Sequence, residues 1–173
     1  MDIWWEIAEG AALESELWRD ALLPSAQREL RAVFSPLAED RFALGLETIY
    51  EGYLLHFGRP RLFAPADDDT ALLLGDYLYA HGLVRVAEVD AVAAVADLSE
   101  LISLCSQLRA EGRDGDGALW AATAALLAAG RLDGARTALR MRGDASPLEA
   151  LARETAGDED VERALAAHRA RLR

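Results

Sequence analysis

The chain contains no lysine, and all 18 of its basic residues are arginine. That absence excludes a lysine nucleophile, a Schiff-base lysine and a lysine phosphate ligand. Cysteine occurs once, at Cys105, so an internal disulfide is excluded, and the thiol reads as a small buried apolar residue. There are five prolines, and β-branched residues are sparse, which argues against a sheet protein. No apolar run reaches about 18 residues, so no membrane span is expected. The opening Met1-Asp2-Ile3-Trp4-Trp5-Glu6 lacks the basic start of a secretory leader, and the reading is a cytoplasmic protein.

What is present is acid, alanine and leucine. The 30 acidic residues against 18 basic ones give a net charge of −12, which disfavours nucleic acid or an anionic membrane as a partner. Ala and Leu are the strongest apolar helix formers. The 173 residues, 52% hydrophobic, suffice for one domain with its own core. Apolar spacing and breakers predict about eight helices: Ile3 to Leu22, a second through Leu30, Val33 and Phe34, and a third from Pro36 to Phe57. A fourth opens at Asp67-Asp68-Asp69, a fifth near Asp90, and a sixth spans Ala118 to Ala129. The last three start at Asp133, near Ser146-Pro147 and at Gly157-Asp158. Arg113-Asp114-Gly115-Asp116-Gly117 reads as a flexible turn, since Gly112 to Gly117 has neither P-loop nor dinucleotide-binding spacing. The expected architecture is a single-domain all-α bundle. It comprises N-terminal helices (1–35), a core (36–130) and C-terminal helices (131–173).

Three stretches follow one another in a fixed order. Glu47-Thr48-Ile49-Tyr50-Glu51 precedes His56-Phe57-Gly58-Arg59-Pro60, and a helix follows that reads Ala71-Leu72-Leu73-Leu74-Gly75-Asp76-Tyr77-Leu78-Tyr79-Ala80. From Leu46 to Ala80 the chain thereby resembles the first half of the isoprenyl (polyprenyl) diphosphate synthase family, whose DDxxD motif, RRGxP loop and AxLxGDxLxA helix occur in this order. Downstream, Ile102 to Gln107 resembles the stretch that carries the family's Gly-Gln, and Ala122 to Leu126 resembles its KTAxL helix. The resemblance implies a shortened isoprenyl-synthase-like bundle, because the family's domain usually runs to nearly twice this length.

It also implies that the chemistry is lost. The family's reaction ionises an allylic diphosphate held by Mg²⁺ and basic residues. Mg²⁺ demands hard oxygen ligands in near-octahedral geometry. The matching positions hold Glu47, Thr48 and Glu51, so at most a weakened Mg²⁺ site is expected and no cofactor is assigned. Paired arginines that would grip the diphosphate are replaced by His56 and Phe57, while Gly58 and Pro60 keep the loop's frame. Ala122 stands where the family has lysine, and no Phe-Gln marks a second aspartate motif. Asp158 to Glu162 reads instead as an acid-rich helix start. Each missing preorganised contact removes about 10²–10³ in rate.

Three readings follow. The leading one is a non-catalytic interaction or regulatory subunit, a homodimer or a heteromer with a prenyl diphosphate synthase. The second binds a prenyl chain or isoprenoid quinone in a cavity between the helices carrying Tyr53 and Tyr77, with Asp76 at its edge. The third is a residual Mg²⁺-dependent prenyltransferase using Glu47 and Glu51. Trp4, Trp5 and Trp18 are either core or a partner surface, because adjacent tryptophans point about 100° apart on a helix. His56, His81 and His168 lack metal-ligand spacing, and no metal site is assigned.

Overall fold

The computed structural model describes residues 2–89 and 92–172. Among them every regular element is a helix, and the β-type contacts are the isolated bridges Leu22–Phe63 and Gly58–Leu172. The all-α reading is therefore correct. The elements are α1 (Ile3–Glu14), α2 (Glu16–Asp20), α3 (Ala43–Phe57), α4 (Asp68–Ala87), α5 (Val92–Ala110), α6 (Asp116–Ala125), α7 (Asp133–Arg142), α8 (Ser146–Ala156) and α9 (Asp158–Arg169).

Several boundaries differ from the expected ones. The first helix does not run on to Leu22. Ser15 is extended (φ −153°, ψ 140°), and its hydroxyl caps α2 by accepting from Leu17 N. A serine that offers its oxygen to the next turn favours a helix start over helix interior. The helix expected through Leu30, Val33 and Phe34 is absent. Only a 3-10 turn at Ser25–Gln27 forms there, and Val33 N–H and Ser35 N–H donate to the Glu47 side chain. Pro36 does not start the third helix. Two further 3-10 turns, Ser35–Leu37 and Asp40–Phe42, precede α3. α6 begins at the buried Asp116 rather than at Ala118, and it ends before Ala128, which has φ 65°. The expected start near Asp90 lies outside the described residues. Asp67 caps α4 as anticipated, accepting from Thr70 N at 2.7 Å, and α7 to α9 begin where their acidic or Ser-Pro starts place them.

α3 is the axis of the molecule. Every residue from Gly45 to Leu55 is buried. One side of α3 (Leu46, Ile49, Tyr50, Tyr53, Leu54) faces a large apolar core shared with α5, α6, α8 and α9. The other faces a smaller cluster in which Ile7, Ala8 and Ala11 of α1 meet Leu55, Leu62, Phe63, Leu74 and Leu78. A helix covered all round must satisfy its own polar side chains internally.

α3 and α4 approach backbone to backbone. Gly45 and Gly52 lie seven residues apart on α3, as do Gly75 and Gly82 on α4, so each pair shares one face. A Cβ placed on Gly52 would come within 2.9 Å of Gly75 O, and one on Gly82 within 3.0 Å of Gly45 O. We expect Gly52→Ala to lower the unfolding free energy by about 1–3 kcal/mol, the cost of overpacking. Gly134→Ala, in α7 with nothing within 4 Å, is expected to be neutral or stabilising by about 0.5–1 kcal/mol. Denaturant unfolding of both variants measures the contrast.

Candidate functional site

The residues that the resemblance sets against the aspartate motif, Glu47, Thr48 and Glu51, lie on α3 and are buried. Glu47 and Glu51 are one helical turn apart on the same face, and both are fully buried. Between them sits Arg61, also fully buried. Its Nη1 donates to Glu47 Oε2 at 2.5 Å, and its Nε donates to Glu51 Oε2 at 2.9 Å. The remaining carboxylate oxygens are taken by backbone. Glu47 Oε1 accepts from Val33 N (3.2 Å) and Ser35 N (3.1 Å), and Glu51 Oε1 accepts from Arg61 N and Leu62 N (both 2.7 Å). Arg61 spends its other donors on Arg31 O and Glu47 O. Its guanidinium lies over the Trp4 ring at 4.9 Å and near Tyr50 at 5.1 Å. Burial alone would push the Arg61 guanidinium down. The Glu47 and Glu51 charges outweigh burial and hold it above its ordinary value.

All four carboxylate oxygens are thus engaged by protein donors. Mg²⁺ does not fit, since binding would require expelling a buried guanidinium and four backbone N–H bonds. Thr48 turns away from the pair. Its hydroxyl donates to Leu44 O (2.6 Å) and accepts from Arg85 Nη1 (3.2 Å), which ties α3 to α1 through the Arg85 bond to Glu6 O.

The loop positions are equally occupied. The His56 ring covers Gly75, with Nε2 3.2 Å from Asp76 Oδ1, and it stacks on Tyr79. Burial lowers the His56 pKa, with Asp76 opposing. Phe57 packs on Tyr53. Gly58 pairs with Leu172, and a Cβ there would come within 2.7 Å of Arg171 O. Beside it Arg59 N donates to Arg171 O at 2.8 Å. Pro60 is half-buried. The C-terminal segment therefore occupies the strand-like edge of this loop.

Tyr53 and Tyr77 do not line a common cavity. They belong to different apolar clusters, and their helices touch through the glycine faces, which fills the space between them. Asp76, exposed on α4, does not converge with Glu47 and Glu51. Tyr77 packs on Trp18 at 5.7 Å and on His81 at 5.4 Å. Trp4 and Trp18 are half-buried packing residues, and of the three tryptophans only Trp5, at 57% exposure, faces solvent.

Sequence reasoning missed Arg61 and a second buried network. Tyr53 OH and Arg109 both donate to Asp116 Oδ2, the latter through Nη2 at 2.5 Å. His168 Nε2 lies 3.4 Å from the same oxygen, and its Nδ1 hydrogen-bonds Tyr50 OH at 2.9 Å. Burial pushes both phenols up, with the Asp116 charge adding to it for Tyr53, so both remain protonated. Burial also pushes the Asp116 carboxyl up, but His168, Tyr53 and Arg109 outweigh it and hold it well below the ordinary 3.8. Asp116, His168 and Tyr50 follow one another as an acid, an imidazole and a hydroxyl. Tyr50 and His168 are nevertheless enclosed by Phe34, Trp120 and Tyr53, and Tyr50 is 0% and His168 1% exposed. This network pins α9 to α3. No group of three or more His, Cys, Asp or Glu suited to a metal ion occurs among the described residues.

The chain matches no protein-family model, no curated protein and no solved structure.

Removing one member of a buried ion cluster leaves its partners unpaired at about 3–5 kcal/mol. Arg61→Met should therefore lower the unfolding free energy by that order, as should Glu51→Gln to a lesser degree, both read by urea denaturation. Asp116 adds a pH signature. Its folded pKa is depressed, so its stabilisation is complete above the ordinary 3.8 and is lost as pH falls through the lower folded value. Asp116→Asn should be less stable at neutral pH and show a shallower loss between about pH 4 and pH 2.

Proposed function

We propose that this chain is a non-catalytic helical interaction protein. It carries a shortened isoprenyl-synthase-like core and associates with itself or with a catalytically complete prenyl diphosphate synthase. The family relationship rests on the ordered matches between Leu46 and Ala80. The observation that carries the function is the Glu47–Arg61–Glu51 cluster. The acids at the metal-binding positions of the resemblance are engaged by one internal cation and by backbone amides in the buried core. A diphosphate would meet neither metal nor free arginines at this place, and departure of a pyrophosphate without such partners is prohibitively slow. A protein that keeps a helical scaffold and loses its charged machinery retains surfaces as its means of action.

Two measurements test the reading. Incubation with allylic and homoallylic diphosphates and Mg²⁺ should give no prenyl product at any chain length, and millimolar Mg²⁺ should leave the melting temperature unchanged. Purified chain mixed with a prenyl diphosphate synthase, or alone, should elute as a defined complex in size-exclusion chromatography with light scattering. Turnover that disappears in Glu47→Ala would overturn the non-catalytic reading.

A further inference from the structure

The arginines of this chain are spent unevenly. Every acid of α8 and α9 is bridged to one, as in Glu149–Arg153 and Glu159–Arg163. Around α1, α2 and α4 the acids stand alone. Glu14, Glu16, Asp20, Asp69 and Glu88 are exposed, and none of them makes an ion pair among the described residues. The arginines of these three helices are Arg19 and Arg85, and both are committed elsewhere. Arg19 donates to Ala12 O, and Arg85 donates to Thr48 Oγ1 and Glu6 O. Residues 1–20 hold six acids (Asp2, Glu6, Glu9, Glu14, Glu16 and Asp20) and one arginine, so a large share of the net charge of −12 lies at this edge.

The unpaired acids surround apolar surface. Leu73, Tyr77, His81 and Val84 recur at spacings of four, four and three along α4, which puts them on one face. Asp69 and Glu88 extend that face at its two ends. Leu73 and Val84 are each more than half exposed. Trp18 of α2 packs on Tyr77 at 5.7 Å and brings the junction of α1 and α2 alongside, where Leu13 protrudes at 77% exposure. Glu14 lies within electrostatic reach of two of the rings. Burial raises the Tyr77 phenol, and Glu14 adds to it; burial and Arg85 lower the His81 imidazole, against Glu14 and Glu88.

We infer that this edge docks a cationic amphipathic helix of another protein, with its apolar side on the Leu73 to Val84 face and its arginine or lysine side chains on the surrounding acids. The inference goes beyond the proposed function, which places no partner on this surface, and it stands on charge and exposure rather than on the motif matches. Apolar surface rimmed by polar groups is the signature of a binding face. Here the rim carries one sign and no counter-charge, so a basic occupant gains complementarity. A second copy would set the same acids against themselves, and nucleic acid or an anionic membrane would be repelled. From Leu73 to Val84 the face is about 16 Å long, three helical turns. That length suits anchors at i, i+4 and i+7 of a partner helix. Half-buried Trp18 and Tyr77 beside Glu14 offer aromatic surface and charge together, a setting that favours a guanidinium.

The test is fluorescence anisotropy of a labelled synthetic helix of about 18 residues, with leucine along one side and arginine along the other, titrated with the full chain. Saturable binding that weakens as salt rises is expected. Glu14→Gln with Glu88→Gln should weaken it about fivefold, and Leu73→Asn with Val84→Asn about tenfold, both with unchanged helical circular dichroism. Glu154→Gln with Glu159→Gln, which changes the net charge equally on exposed positions of α8 and α9, should leave the affinity unchanged. No binding, or binding indifferent to the Leu73 and Val84 pair, overturns the inference. An equal loss in the α8 and α9 pair also overturns it, since the peptide then responds to net charge alone. A dimer in light scattering that Leu73→Asn breaks puts a second copy on the face and overturns it as well. A chain that elutes with a prenyl diphosphate synthase but ignores the peptide overturns the inference and leaves the proposed function standing. Peptide binding with the expected variant losses, in a chain that turns over allylic diphosphates, does the reverse.

Discussion

The guanidinium of Arg61 holds together parts of the chain that have little else in common. Its bonds reach Glu47 and Glu51 on α3 and the carbonyl of Arg31 in the irregular segment before it. Its flat face meets the Trp4 ring of α1. The same carboxylates fix the backbone of residues 33, 35, 61 and 62. Buried charge tolerates few arrangements, because each donor and acceptor must find a partner or lose its hydration without return. The cluster therefore specifies one path for the loops on either side of α3, where apolar packing alone would accept several.

That constraint also explains why α3 can be buried on all sides. Its glycine face lets α4 approach to backbone distance, its aromatic face meets Trp120 and His168, and its acids are matched from the loops. The features that resemble a reaction centre, two acids one turn apart and a Gly-Asp helix opposite, are the features by which two helices pack closely around a buried ion cluster. Chemistry and architecture would place similar residues at these positions for different reasons.

Much of the fold was legible where the signals are local. Asp67, Asp133, Ser146-Pro147 and Gly157-Asp158 mark helix starts by capping or dipole effects that act within one turn, and those starts agree with the structure. Between Leu23 and Phe42 local signals failed. Apolar spacing suggested a helix, but the amides of Val33 and Ser35 are claimed by a side chain on another element, and tertiary demand overrode the period. Glu47 and Glu51 stand out in the sequence as degenerate aspartate-motif positions, yet their partner does not, since nothing local shows that a loop folds its arginine back into the core. A usable hint existed: two acids among Leu46, Ile49, Tyr50, Tyr53 and Leu54 on an apolar helix require a cation, and Arg41, Arg59 and Arg61 are the nearest arginines in sequence. Asp116 was hidden by its glycine neighbours, which made a buried helix start look like a flexible turn.

The contacts between Tyr50 and His168 and between Gly58 and Leu172 join residues more than a hundred positions apart. During synthesis, α3 emerges early and must wait for α9 before its aromatic side is covered. Loop closure over such a separation is slow compared with helix formation. The nascent chain consequently leaves Tyr50, Tyr53 and Phe34 without the cover of α9 until that helix has been synthesised. Burial of this aromatic side is thus set by α9, however rapidly the earlier helices form.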